Sequence, residues 1–315
     1  MNGPTLVVSP HPHIHSGNTV QKIMIDFMLA LVPAVLFGLY LFGFDALRVI
    51  LISVGSAVGW QALSRKVINK PLEIDNLTAA ASGLILAMLL PATTPWWLIL
   101  IGTLIMIVLG SEVFGGYGSN PFNSVLVAWI ILKMSYPDFM IDWGLSSQEG
   151  GVLAAPMEIF KNQGPSFLGQ TYGFGDLFLG STAGPIGQVS VLMLLIGGLY
   201  LLARKTVNWR IPISYLAGVF LFSGLFWIFS PGSFADPLFH LLAGGTFLAA
   251  FFLATDMPSS PVTPEGMILF GFAAGCLTAI IRMWGAWTFG AFYAVLIMSM
   301  ATPFLDKIAP DVYGR

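Results

Sequence analysis

The chain has 315 residues, of which 56% are hydrophobic and only 9% charged, with a formal net charge of −2. Soluble domains carry about 25% charged residues, so this composition excludes an ordinary water-facing surface and, with a mean hydropathy of +0.83, describes a polytopic membrane protein. No basic arm or stripe is present, which excludes the nucleic-acid-binding class. The single Cys276 excludes a disulfide within the chain and ligation by cysteine clusters of its own.

In chain order, a polar arm precedes the first apolar run and carries His11, His13 and His15. That trio reads as a solvated terminus rather than a metal site, and no cleavable signal peptide is expected. Apolar runs near the roughly 20 residues needed to cross a bilayer follow at 23–43 and 46–63. A third runs from Leu77 to Leu90 and ends at LPATTPWW, where Trp96 and Trp97 read as interface anchors. A fourth, 98–110, leads into the broken stretch GSEVFGGYGSNPFN, and a fifth covers 121–134. Five more lie at about 189–202, 211–229, 238–253, 267–281 and 289–300.

The expected fold class is therefore all-α: about ten membrane helices in two inverted five-helix repeats with broken or re-entrant segments. Its organisation is an N-terminal arm 1–22, a first repeat 23–135, a long external loop 136–187, a second repeat 188–305 and a tail 306–315. With the N-terminus inside, Lys22, Arg65, Lys66, Lys70, Arg204, Lys205, Arg210, Lys307 and Arg315 are cytoplasmic, leaving Arg48, Lys133, Lys161 and Arg282 outside. That is the positive-inside pattern of a multi-pass protein with both termini cytoplasmic.

The repeat rests on two blocks. GLILAMLLPATT from Gly83 matches GTFLAAFFLATD from Gly245 at an offset of 162, and FGGYGSNPFNSVL from Phe114 matches WGAWTFGAFYAVL from Trp284 at an offset of 170. An odd number of spans per half inverts the second half, and inverted repeats bring broken segments together near the bilayer midplane, where ligand and ion sites form.

Candidate site residues follow from that placement. Gly115, Gly116, Asn120 and Asn123 line the broken stretch, where amide groups suit the polar edge of a ligand or satisfy the backbone of the break itself. Asp26, Glu112 and Arg282 are charges within or at the ends of spans, expected to be paired or on an ion pathway. Thr255 and Asp256 open the proline-set turn ATDMPSSPVTP. Trp60, Trp129, Trp284 and Trp287 can stack on a flat ligand, although packing is the commoner use. No nucleotide loop, HExxH or serine-nucleophile motif is present, so no catalytic residue and no metal ligand is assigned.

The motifs SGLILAMLLPATTPWW, FGGYGSNPFN, GPIGQVSVLMLLIGGLYLL, FLATDMPSSPVTPEG and AVLIMSMATPFLD, with SPH at Ser9, resemble the RnfD/NqrB family over nearly the whole chain, and the length favours the RnfD side. The resemblance implies a membrane subunit of an Rnf-type ion-translocating ferredoxin:NAD+ oxidoreductase in the bacterial inner membrane. Such a subunit relays electrons through flavin and couples this to Na+ or H+ movement, as part of a multi-subunit translocase rather than a catalyst alone. Its partners are the other subunits of the complex. The alternatives are a urea-channel-like solute channel, whose fold also uses inverted five-helix repeats, and a redox-inactive structural subunit. The resemblance also implies noncovalent riboflavin or FMN among the helices, with the broken stretch, Thr255 and Asp256 as its expected walls. The family carries a second FMN on a threonine in the external loop. Here that position falls on Ala155, in GGVLAAPMEIFK, and alanine has no oxygen to form a phosphoester. The substitute is Thr182, since Asp176, Gly180 and Thr182 echo the spacing of a flavin-transferase recognition sequence.

Overall fold

A computed structural model describes residues 19–72, 74–144, 154–165, 172–180 and 182–308, and among them every regular element is helical. The histidines of the N-terminal arm and the end of the tail lie outside the described residues. Helix α1 (Val20–Phe42) is capped by Thr19, whose hydroxyl oxygen accepts from the Lys22 amide at 3.2 Å. Its 23 residues span about 35 Å at the α-helical rise, enough to cross a hydrocarbon core. Gly43, left-handed at φ +58°, turns the chain at once into α2 (Phe44–Val67).

Five helical stretches are long and apolar enough to cross a membrane: α1, α2, the run Trp96–Phe114, α9 (Arg210–Phe229) and α12 (Pro264–Trp284). The third of these is composite. Helix α4 (Trp96–Leu104) passes into a π-helical turn at Ile105–Leu109. The remaining apolar helices are shorter: α3 (Thr78–Leu89), α5 (Ser124–Ser135), α8 (Val191–Ala203) and α13 (Gly290–Leu305). The long loop between the halves contributes α6 (Pro156–Gln163) and α7 (Phe174–Leu179).

The eighth apolar run reads as one span in the sequence but is interrupted in the fold. It forms α10 (Pro237–Leu242), a break with Gly244 and Gly245 at φ +63° and +72°, then α11 (Thr246–Leu248) and a second π turn at Ala249–Leu253. A Cβ at Gly244 would meet the Arg282 guanidinium at 2.8 Å, so both backbone sign and space demand glycine there. The third run is also partial. Its helix of twelve residues covers about 18 Å, and the chain continues as non-helical Leu90–Thr94.

Such breaks are tolerated at membrane depth only where their polar groups find partners. Around the end of α3 the carbonyls of Met88, Leu89 and Leu90 accept from Gly187 N, Trp129 Nε1 and Ile186 N at 2.9, 3.1 and 3.2 Å. Arg48 donates to Ala92 O and Thr94 O. At the other break, fully buried Arg282 donates to the carbonyls of His240 (2.6 Å), Ala243 (3.1 Å) and Gly244 (2.8 Å).

The two halves pack alike. Helix α2 lies along α3 and α4, and α9 lies along α12. The halves meet through α1 against α8 and α5 against α13, each the pairing of an element with its counterpart five spans on. Asp26 near the start of α1 bonds Tyr200 and Arg204 at the end of α8, so these two helices run antiparallel, as inversion requires. At the second seam Trp129, 1% exposed, packs edge-on against Phe289, Phe292 and Tyr293.

The contact of α9 with α12 depends on Gly218, Gly271 and Gly275. A Cβ on Gly275 would collide with the Tyr215 carbonyl and sit 2.8 Å from Val219 N, both of them backbone atoms that cannot swing aside. Gly271 and Gly275 thus form a small-xxx-small contact used within the chain. By contrast, nothing lies within 4 Å of a Cβ at Gly59 on α2. Gly275→Ala is expected to destabilise the fold by about 1–3 kcal/mol, lowering the thermal midpoint of the detergent-solubilised protein, whereas Gly59→Ala leaves it unchanged or raises it. Equal midpoints for the two variants would contradict this packing.

Candidate functional site

Where the halves meet, the broken stretch between α4 and α5 lies against the turn that follows the second π segment. The break starts where α4 ends in its π turn and Glu112–Phe114 forms a single 3-10 turn. Gly115, Gly116 and Gly118 then take φ of +117°, +111° and +101°. At Gly116 this brings the backbone close to the Arg65 guanidinium, whose Nη2 would be 3.1 Å from an added Cβ. Both asparagines satisfy the break. Asn120 Oδ1 accepts from Gly118 N, and its Nδ2 donates to Phe122 O at 2.8 Å. Asn123 is the N-cap of α5, accepting from Val125 N and Leu126 N at 3.0 and 3.2 Å. Its Nδ2 reaches into the other half and donates to Leu253 O at 3.2 Å.

A cavity opens beside this junction. Its walls include Phe27 and Met24 of α1, Ser82 of α3, Tyr117 of the break, Phe252 of the π turn and Asp256. Its free volume of about 30 Å³ holds a water or two. Burial pushes the Asp256 carboxyl up to about 6, against the opposing hydrogen bond from the Ser259 hydroxyl at 2.9 Å. Thr255, the preceding residue, turns its hydroxyl back to Phe251 O at 2.7 Å. Of the residues expected from the sequence, Asn123 and Asp256 therefore line one cavity, while Asn120, Gly115, Gly116 and Thr255 shape the backbone beside it. Tyr117, Ser82 and Phe27 carry no sequence signal that separates them from packing residues.

A second, smaller polar cavity shares Ser82, Tyr117 and Ser124 with the first and is lined by Gln61, Thr78 and Glu112. Glu112, 4% exposed, pairs through Oε1 with Arg65 Nε at 3.1 Å. Its Oε2 is buried and has no hydrogen-bond partner among the described residues. Arg65 also donates to Pro71 O. Glu112 and Arg282, equivalent in the repeat, do not pair with each other. Glu112 pairs with Arg65 beside the break before α5, whereas Arg282 bonds the carbonyls of the break after α10. Asp26 is engaged by three donors: Tyr200 Oη at 3.1 Å, Arg204 Nε at 3.3 Å and Thr206 Oγ1 at 3.2 Å.

The long loop between the halves holds the remaining candidates. Ala155 occupies the N-cap of α6, where its amide donates to Glu158 Oε2 at 3.0 Å, half of a capping box with no side-chain oxygen to complete it. Thr182, 8% exposed, points its hydroxyl at Val189 O. The two positions lie far apart in sequence yet line the same cavity of about 20 Å³, together with Gln188. Both amide heavy atoms of Gln188 are buried without a partner among the described residues. Lys161 donates to Gly285 O, and burial, then the charge of Arg282, lowers it below the usual lysine range.

The family model described as "NQR2, RnfD, RnfE family" matches residues 7–314. Curated relatives match end to end. The chain is 39% identical, over 97% of its length and 95% of the relative's, to the D subunit of a proton-translocating ferredoxin:NAD(+) oxidoreductase complex of Clostridium ljungdahlii. It is 36% identical, over 100% and 97%, to the D subunit of a Na(+)-translocating ferredoxin:NAD(+) oxidoreductase complex of Acetobacterium woodii. A third relative, the D subunit of the ion-translocating oxidoreductase complex of Escherichia fergusonii, is 31% identical over 98% of both chains.

The junction cavity makes a pH signature. An unfolded aspartate titrates near 3.9, and the native group near 6, so the folded state binds the extra proton between these values. Stability from this group is complete below about 4 and is lost as pH rises through about 6. Asp256→Asn removes the titration. The thermal midpoint of this variant, minus that of the parent, is expected to increase from pH 4 to pH 7. A difference that stays flat over that range places the Asp256 carboxyl in an ordinary, hydrated setting.

Proposed function

The chain belongs to the NQR2, RnfD, RnfE family, and from that membership we propose that it is the D subunit of an ion-translocating ferredoxin:NAD+ oxidoreductase complex. The observation that carries this reading is the end-to-end match to subunits of that name, through both halves and both breaks. The protein is a multi-pass membrane protein, and its other partners are the remaining subunits of such a complex with Na+ or H+ as the ion moved. Its membrane is the bacterial inner membrane, with both termini cytoplasmic. The side of the molecule that carries Lys22, Arg65, Lys66 and Arg204 supports that orientation.

The cofactor of this reading is a noncovalent flavin, riboflavin or FMN, at the junction cavity. The chemistry of the walls supports it. Phe27 and Phe252 supply apolar faces, while Tyr117, Ser82, Ser124 and Asp256 supply polar groups. The present volume of about 30 Å³ does not admit a three-ring ligand, since such sites measure about 300–1,000 Å³. Binding therefore requires wall side chains to move, and Met24 and Met257, unbranched and adaptable, are the ones suited to it. A bound flavin supplies one- and two-electron transfer. The chain's own contribution is to orient it, keep water out and hold a proton on Asp256. A covalent flavin has no oxygen to use at Ala155, and the Thr182 hydroxyl is buried and already committed to Val189 O.

Acid precipitation of the purified complex tests the cofactor. Flavin absorbance is expected in the native complex, in the supernatant after precipitation, and reduced by roughly tenfold in an Asp256→Leu subunit that still assembles. Flavin retained by the precipitated subunit shows covalent attachment, and a native subunit that carries no flavin before precipitation removes the reading.

Of the charges on the expected ion pathway, Glu112 is the one with an unpartnered buried oxygen beside a polar cavity. Arg282, whose Nε is also buried without a partner among the described residues, and Asp26 are each held by several partners. We infer that Glu112 is the waypoint. In vesicles containing the complex, Glu112→Gln should slow ion uptake more than electron transfer; equal slowing of both excludes Glu112 from the path.

A further inference from the structure

Between the first turn of α1 and the end of α8 lies a cavity of about 210 Å³, beside the junction cavity and sharing Met257 with it, whose walls include Lys22, Asp26, Arg204, Lys205 and Thr206. Three cations and one carboxylate surround it. The carboxylate is occupied: Asp26 takes the Arg204 Nε through both oxygens, at 3.3 and 3.4 Å, and accepts from Tyr200 and Thr206 as well. Held through Nε, the guanidinium keeps its two terminal nitrogens free of hydrogen bonds among the described residues. A planar fork anchored this way suits two oxygens of one tetrahedral anion.

Each lysine departs from one local preference, Lys22 by its charge and Lys205 by its backbone, the charge of Lys205 being favoured at a helix C-terminus. Lys22 lies in the first turn of α1, where the helix dipole favours negative charge. Lys205 closes α8 in a Schellman turn, with Thr206 N donating to Leu201 O at 3.1 Å and Lys205 N to Leu202 O at 3.0 Å. Its backbone is left-handed, φ +57°, a position glycine fills at lower cost. The same turn ends α2, and there the left-handed residue is Asn69, the usual non-glycine choice. Two unfavourable local choices converge on one cavity, a pattern expected where function outweighs local preference. An anion between the ammonium groups offsets both.

We propose that this cavity binds a phosphate group, presented by an anionic phospholipid at the membrane surface or free in solution. Position favours the lipid source. The cavity lies at the start of α1 and the end of α8, two apolar helices, and the ends of membrane helices are where headgroups are met. Below Lys22 on the same face of α1, Ile25, Leu29, Val32 and Leu36 are exposed at spacings of three and four residues. They form an apolar track for acyl chains. Asp26 is then a positioning residue that fixes the Arg204 fork.

The test uses the full chain in nanodiscs of phosphatidylcholine with and without phosphatidylglycerol, with inorganic phosphate as a separate addition. The readouts are lipid retained in native mass spectrometry and the thermal midpoint. The variants are Lys22→Gln, Lys205→Gly and their combination. Lys205→Gly keeps the left-handed turn, so its midpoint without added anion should not fall. Each single variant should weaken phosphatidylglycerol retention about fivefold and the pair roughly twentyfold. Stabilisation by phosphatidylglycerol, lost in the double variant, identifies a lipid headgroup. Stabilisation by inorganic phosphate alone, lost in the same variant, identifies a soluble phosphate. Parent and double variant that respond equally to both additions overturn the proposal.

Discussion

The structure depends on how unpaired backbone groups are satisfied at membrane depth. Water cannot reach a carbonyl there, and an unmet one costs several kcal/mol. This chain interrupts its spans repeatedly, so it must supply its own donors. It does so with side chains distant in sequence: Arg282 for the α10 break, Trp129 and Arg48 for the end of α3, Asn123 for α5 and for Leu253. Arg282 is the clearest case. Its guanidinium sits at the C-terminal end of a short helix, where the dipole is negative, and bonds three carbonyls. The cost of burying the charge is offset by the groups it satisfies, so the most expensive residue in the second half is also the one that permits its break.

This explains what the sequence made legible. Long apolar runs with few charges translate directly into α1, α2, α9 and α12, because length and composition decide whether a helix spans. The polar break GGYGSNPFN also stands out, because glycines and asparagines interrupt an apolar context. The break at Gly244–Gly245 does not. LLAGGTFL reads as continuous helix, since glycine is common in membrane helices, and nothing local reveals that Arg282, roughly forty positions on, will take its carbonyls. Tyr117 and Ser82 are equally silent. A tyrosine or serine becomes a cavity wall only when α1, α3 and the π turn arrive around it.

The asparagines show a second limit. Amide side chains in a broken segment suggest ligand contacts, yet the visible bonds of Asn120 and Asn123 go to backbone. The residues that face the cavity with unsettled chemistry are instead Asp256 and Tyr117. The same distinction separates the charges. Asp26, Glu112 and Arg282 look alike in sequence as intramembrane ionisable groups, but among the described residues Glu112 makes one bond and leaves an oxygen unpartnered, whereas Arg282 leaves only its Nε unpartnered while bonding three carbonyls. Residue type identified the candidates; the count of satisfied atoms ranks them.

The junction cavity belongs to neither half. Met24, Ser82 and Tyr117 come from the first, and Phe252 and Asp256 from the second. Its shape is therefore set by how the halves sit on each other, and Asn123 fixes that. One oxygen caps α5 while the amide nitrogen holds Leu253 O, at the end of the π turn. A motion separating the halves would leave that buried amide unpaired, costing about 1–3 kcal/mol, and would release the α5 terminus if the side chain followed. The wall side chains differ in this respect: Met257 is 41% exposed and unbranched, whereas Met24, Phe27 and Phe252 are buried. The cavity is therefore stiff where the Leu253–Asp256 turn is tied through Asn123 to the cap of α5, and adaptable on the side of Met257.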